Sequence, residues 1–310
     1  MTKTILSKTL RSKTLGFKTL AFKTLGSFGL GVIFSTAALG ASLALAAEEH
    51  NAAAPTHFPI VTPALEKWSF AGIFGTYDTA QLQRGYQVYK EVCSNCHSMH
   101  LLSFRNLSQP GGPSFTDAQA RQVAASYQVQ DGPNDAGDMF DRPGRLSDRF
   151  PSPFANPQAA AAANNGKTPP DLSLMGKARA VERGFPWFIL DLFTQYEEGG
   201  PDYIHGLLTG YKDAPEGLQI PPGLYFNVGF VSGPAIAMPP PLADEQVTYS
   251  DGSPETVEQY SRDVAAFLMW AAEPHLNVRK RTGFQVIIFL FVFAGLLYFT
   301  KKKIWSKVAH

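Results

Sequence analysis

The stretch Val92-Cys93-Ser94-Asn95-Cys96-His97 constrains this chain more than any other. Two cysteines spaced C-x-x-C, with a histidine directly after the second, form the attachment signature of a c-type haem. Each thiol adds to a vinyl group of the porphyrin as a thioether, and the two intervening residues set the sulfurs at the separation of those vinyls. His97 then lies under the ring, where its imidazole can bind the iron as proximal ligand. A zinc site would need two more ligands, and Cys93 and Cys96 are the only cysteines in 310 residues. A thioredoxin-like pair would need a preceding strand within a βαβ unit. The residues before this motif are helical in pattern instead. The expected cofactor is one covalent haem c.

Leu82, Tyr86, Tyr89 and Val92 recur at four- and three-residue steps, which predicts a helix over 81–92 with one apolar face. Asp78 or Thr79 can cap it, and the haem motif sits at its C-terminal end. Further helices are expected around 117–127, 159–163, 186–196 and 203–209. The segment 131–141 is acidic and rich in turn residues, a long loop of the kind that is usually functional in a compact domain. Ser253-Pro254 predicts a capped helix start, with Val257, Tyr260, Val264, Phe267, Leu268 and Ala271 as the apolar face and Pro274 as the stop. The first and last helices of this body would pack against each other, as a single-haem cytochrome fold requires.

The two ends of the chain carry different signals. Lysines recur at 3, 8, 13, 18 and 23, and an apolar run over 28–45 ends in Ala44-Leu45-Ala46. That is an export signal with a small-x-small processing site, predicting 1–46 as cleaved and Ala47 as the first mature residue. Near the other end, 283–300 is an uncharged apolar run of 18 residues, flanked by Arg279-Lys280-Arg281 and Lys301-Lys302-Lys303. It predicts a transmembrane anchor over 279–300, with 301–310 as a basic tail on the inner side and 47–278 as an exported haem domain. Charge follows the same division. Of 27 basic residues, six precede Ala47 and seven lie from Arg279 onward, so the body carries 14 against all 26 acids, a net −12. An acidic body suits a basic protein partner and excludes nucleic acid.

A haem with histidine on one face needs a ligand on the other, and the soft thioether of methionine is the usual electron-transfer choice. Met238 stands in Ala237-Met238-Pro239-Pro240-Pro241, where three prolines keep the backbone extended and off any helix. Met139, Met175 and His205 remain rivals for that position. Arg105 is near enough in sequence to reach a haem propionate through bidentate contacts, and reads equally as an ordinary surface arginine.

Beyond the haem motif, several blocks resemble the cytochrome c1 family, the haem subunit of the ubiquinol–cytochrome c oxidoreductase (bc1) complex. They are the run from Arg84 to Cys93, Asn156-Pro157, Ala162-Ala163-Asn164-Asn165-Gly166, Pro169-Pro170-Asp171-Leu172-Ser173, Leu207-Leu208-Thr209-Gly210-Tyr211, Gly223-Leu224-Tyr225-Phe226-Asn227 and Trp270-Ala271-Ala272-Glu273-Pro274. The likeness runs from about Trp68 to the final helix. It implies a mainly α chain: a class I c-type cytochrome fold with long loop insertions and one C-terminal transmembrane helix. It implies Met238 as the sixth ligand beside His97, Arg105 as a propionate partner, and Asn165, Pro170 and Leu172 near the haem pocket. The extra cysteine pair of some bacterial members is missing.

The resemblance further implies one-electron relay, from a Rieske iron–sulfur protein to a cytochrome c, within a dimeric complex that includes cytochrome b. No substrate chemistry is expected on this chain itself. Its place would be the cell inner membrane with the haem domain in the periplasm, or the mitochondrial inner membrane facing the intermembrane space. Two other classes compete. A haem peroxidase or gas sensor needs five-coordinate iron, and the second C-x-x-C-H of dihaem peroxidases is missing. A free-standing membrane-tethered c-type cytochrome shuttle would have a short haem domain on a flexible stalk, without these long insertions.

Overall fold

The computed structural model describes residues 61–180 and 183–308. The export signal expected at 1–46 lies outside them. Asp78 opens helix α1 (Thr79–Glu91), its carboxylate accepting from the backbone N–H groups of Ala80 and Gln81. That satisfies two of the donors a helix N-terminus leaves unpaired. The face toward the core carries Leu82, Gly85, Tyr86, Val88 and Tyr89. The helix gives way to a 3-10 turn, Cys93–Asn95, that carries the motif.

Helix α2 (Asp117–Ala125) starts on a capping box of Thr116 and Gln119. Strands β1 (Gln128–Asp131) and β2 (Phe140–Pro143) then pair antiparallel, Gln128 opposite Pro143 and Asp131 opposite Phe140. The expected acidic loop is therefore the tip of a hairpin. Arg142 closes its base, pairing with Asp131 and lying 2.6 Å from Asp148. Helix α3 (Pro157–Ala163) takes its cap from Asn156 and its proline at the first turn. Short helices α4 (Met175–Ala178) and α5 (Trp187–Thr194) lead to α6 (Gly199–Thr209). Two-residue strands β3 (Tyr225–Phe226) and β4 (Ala235–Ile236) pair antiparallel.

Helix α7 (Val257–Ala272) is the centre of the body, with eleven buried residues. It begins three residues later than Pro254 would allow. Thr256 is the cap, accepting from the Gln259 N–H, while Ser253 is drawn into a turn on Asp251. Helices α1 and α7 cross at Gly85, where a Cβ would lie 2.1 Å from the Asp263 carbonyl oxygen and 2.7 Å from Phe267 Cβ. Around the crossing, the rings of Tyr86 and Tyr89 each stand 5.8 Å from Phe267. Beside it, Arg84 Nε meets the fully buried Asp263 at 2.8 Å, and Arg84 Nη1 meets Asp251 at 2.8 Å. The same device recurs on the other side of α7. A Cβ on Gly176 of α4 would lie 2.6 Å from Met269 Cα, and one on Gly200 of α6 would lie 1.8 Å from the Gly176 carbonyl. Small residues let these backbones touch, so the aromatic core closes around α7.

Helix α8 (Leu276–Trp305) follows after a three-residue connector. Its 30 residues span about 45 Å at 1.5 Å per residue, enough to cross a bilayer. It begins before the basic cluster at 279–281, so its charged flanks and apolar run form one continuous rod with apolar side chains facing outward. It is the one helix among the described residues long and apolar enough to span a membrane.

Candidate haem site

The end of α1 sets the motif's geometry. The Cys93 carbonyl accepts from both Cys96 N (3.2 Å) and His97 N (2.9 Å), so the chain turns tightly and gathers the two thiols and the imidazole onto one bend. Cys93 is half-buried and Cys96 exposed. Burial, and then the neighbouring Cys96, push the Cys93 thiol up to about 12.

His97 is fixed from a distant segment. Its Nδ1 lies 2.8 Å from the Pro170 carbonyl oxygen. A carbonyl only accepts, so Nδ1 carries the proton and Nε2 keeps its lone pair. Burial lowers the His97 pKa from its ordinary value, against the opposing pull of the Pro170 carbonyl and Asp171. A neutral imidazole with a free Nε2 is the form that binds a metal. The donor set of two thiols and one oriented imidazole thus fits a covalent haem.

Segment 170–173 is bound tightly alongside the motif. Leu172 N donates to the Ser98 carbonyl at 2.8 Å. Asp171 Oδ2 accepts from Ser98 Oγ at 2.8 Å and His100 N at 2.9 Å, with His100 Nδ1 at 2.6 Å. Its Oδ1 accepts from Ser173 N, and Ser173 Oγ accepts from Leu101 N. Burial disfavours the Asp171 charge, but hydrogen bonds from Ser173, His100 and Ser98 outweigh it and hold the carboxyl at about 2. Sequence reasoning missed this role for Asp171. The signal was an aspartate two residues before Ser173, the spacing of an Asx turn.

Cys93, Cys96, His97, Pro170 and Leu172 are therefore brought together. The other expected residues make no hydrogen bond to that group among the described residues. Met238 is half-buried in the loop after β4, its carbonyl accepting from the Tyr211 hydroxyl at 3.0 Å. Arg105 is exposed on a 3-10 turn (Phe104–Ser108), its backbone N–H given to Leu146, its guanidinium in no ion pair among the described residues. Asn165 takes a left-handed conformation, φ 50°, just after α3, and Gly223 sits close beside its side chain.

A family model described as the cytochrome C1 family matches residues 68–308. The chain is 61% identical over 245 residues to cytochrome b/c1 of Bradyrhizobium diazoefficiens, covering 79% of this chain and 36% of that protein. It therefore spans little more than a third of that relative's length. It is 53% identical over 248 residues to cytochrome c1 of Blastochloris viridis, covering 80% and 88% respectively. Against a mitochondrial cytochrome c1 heme protein of Arabidopsis thaliana, identity is 48% over 223 residues, covering 72% and 66%.

Proposed function

The chain belongs to the cytochrome c1 family, and from that premise we propose that it is the haem-carrying electron-transfer subunit of a bc1 complex. The observation that carries this reading is the motif turn with His97 oriented by Pro170. Cys93 and Cys96 would hold the porphyrin through thioethers, and His97 Nε2 and Met238 Sδ would serve as ligands to the iron. When bound, the haem supplies a one-electron iron couple. The residues here decide how that couple behaves. Pro170 fixes the imidazole tautomer and strengthens it as a donor, and the methionine sulfur favours the reduced state. Arg105 offers a solvent-facing guanidinium for a propionate. Asn165, Pro170 and Leu172 would lie near the haem. With a histidine and a methionine of this chain both held as iron ligands, the haem would relay electrons and carry out no substrate chemistry.

Electrons enter from a Rieske iron–sulfur protein and leave to a basic cytochrome c. The body's net charge of −12 supports the second step, steering a cationic partner and letting it depart quickly. Helix α8 anchors the body in the membrane beside cytochrome b in a dimeric complex. The haem domain faces the periplasm, or its mitochondrial equivalent, and the basic tail lies inside.

The test is the absorption spectrum of the reduced protein with and without carbon monoxide, on wild type and Met238→Leu. Wild type is expected to ignore carbon monoxide and the variant to bind it. Ready binding by wild type would show an accessible iron and replace the relay reading with a ligand-binding one.

A further inference from the structure

Helix α5 turns the ordinary pattern of a surface helix inside out. A surface helix puts its polar edge to water and its apolar edge to the core. Here Asp191 is drawn inward, 2.7 Å from Arg183 Nη1, and the Arg183 guanidinium lies over the rings of Trp187 (5.1 Å) and Tyr196 (4.4 Å). Most of the residues left outside are apolar. Phe185 is 79% exposed, Phe188 61% and Phe193 72%, with Trp187, Ile189 and Leu190 exposed among them. Nothing in the haem site uses this segment.

Its position indicates what covers it. Three residues after α5 ends, Glu197 pairs with Arg279 Nη2 of α8 at 2.6 Å, and the next residue, Glu198, accepts from Gly72 N. Gly72 lines one cleft together with Trp187 and Leu190 of α5. The carbonyls of Phe70 and Gly72 both accept from Lys280 Nζ at 2.5 Å. Phe74 packs edge-on against Phe284, ring centroids 5.2 Å apart, in the first turn of the apolar run of α8. Helix α5 is thus held, on both sides of its cleft, to the level where α8 passes from charged to uncharged residues.

We propose that α5 is an interfacial segment, lying in the headgroup layer of the same membrane that α8 crosses with its aromatic face against lipid. Trp and Phe are the side chains suited to that layer, and an apolar segment exposed at the level where α8 turns from charged to uncharged would bury its rings there. The inference rests on α8 spanning the membrane, and the test separates the two. Single spin labels are placed at Phe188→Cys and Phe193→Cys, with Phe291→Cys on α8 as the lipid reference and Asp135→Cys at the hairpin tip as the water reference. The full haem-loaded chain is studied in phosphatidylcholine–phosphatidylglycerol nanodiscs and again in the assembled complex. Collision rates are measured with oxygen, which concentrates in lipid, and with a water-soluble nickel chelate. At 188 and 193 oxygen collisions should exceed nickel collisions in both preparations, in the sense of 291 and opposite to 135.

Nickel access at 188 and 193, with 291 in lipid, would overturn the inference and leave the anchor standing. Labels closed to both reagents in the complex would mean that protein covers the face, which also overturns it. Nickel access at 291 would remove the anchor and this inference together. An unchanged reduced-haem spectrum shows that each variant has folded, and Phe185→Cys replaces any that has not.

Discussion

Replacing Gly85 by alanine adds one methyl group at the point where α1 and α7 touch. That carbon would lie 2.1 Å from the Asp263 carbonyl oxygen and 2.7 Å from Phe267 Cβ. Ordinary separations are about 3.3 Å for carbon to oxygen and at least about 3.5 Å for carbon to carbon, so α1 must retreat by about 1 Å. Neither obstacle is the end of a flexible side chain, so no rotamer change relieves the clash. A retreat of that size forfeits about a quarter to a half of each dispersion contact across the seam, including those of Tyr86 and Tyr89 with Phe267. Overpacking of this kind costs up to about 3 kcal/mol, and alanine's better helix propensity returns about 1 kcal/mol. The expected net loss is about 2 kcal/mol, roughly a thirtyfold fall in the folding constant. The assay is denaturant unfolding of the full chain in detergent, read by Soret absorbance and far-UV circular dichroism, with an unchanged slope required. Gly283→Ala is the control, because nothing lies within 4 Å of its Cβ position, and there the substitution should be neutral or slightly stabilising. If Gly85→Ala were as stable as wild type, the two helices would not meet as described.

Beside that crossing, Arg84→Met should cost about 3 kcal/mol by stranding the buried Asp263 carboxylate. Adding Asp263→Leu should recover most of it, as a double-mutant cycle would show. The Asp171 carboxyl is held at about 2, below its ordinary 3.8. The unfolded chain therefore binds the extra proton first as pH falls, so this stabilisation is complete above about pH 4 and is lost as pH falls through 2. Asp171→Asn should flatten the acid limb of an unfolding-midpoint profile in that window. Electron transfer to a basic acceptor should slow as salt rises through the physiological range, and a salt-independent rate would contradict steering by the acidic body.

The parts legible in the sequence were those whose causes are local. The C-x-x-C-H bend, the apolar face of α1 and the uncharged run of α8 each lie within a few turns of chain. The start of α6 was missed by four residues because Gly199, Gly200 and Pro201 are poor helix formers, and only contact between Gly200 and α4 favours them there. The hairpin over 128–143 was read as a loop because its strands show no apolar alternation; both faces are wet or half-wet. Ser253 was read as the α7 cap, but Thr256, three residues on, takes that place, because Ser253 is drawn into a turn on Asp251. In the site, the motif was legible, whereas the clamp from Pro170 and Asp171 arrives from more than 70 residues away.

The joint between α7 and α8 has no slack. Glu273 pairs with Lys177 and Arg279, and the Tyr77 hydroxyl donates to the carbonyls of Met269 and Glu273. Asn277 accepts from Tyr77 N, and Leu276 is buried. A body joined to its rod in this way cannot swing on a leash or sample a range of heights above the bilayer. Its redox centre is a fixed station rather than a courier. Partners that exchange electrons with it would have to come to it.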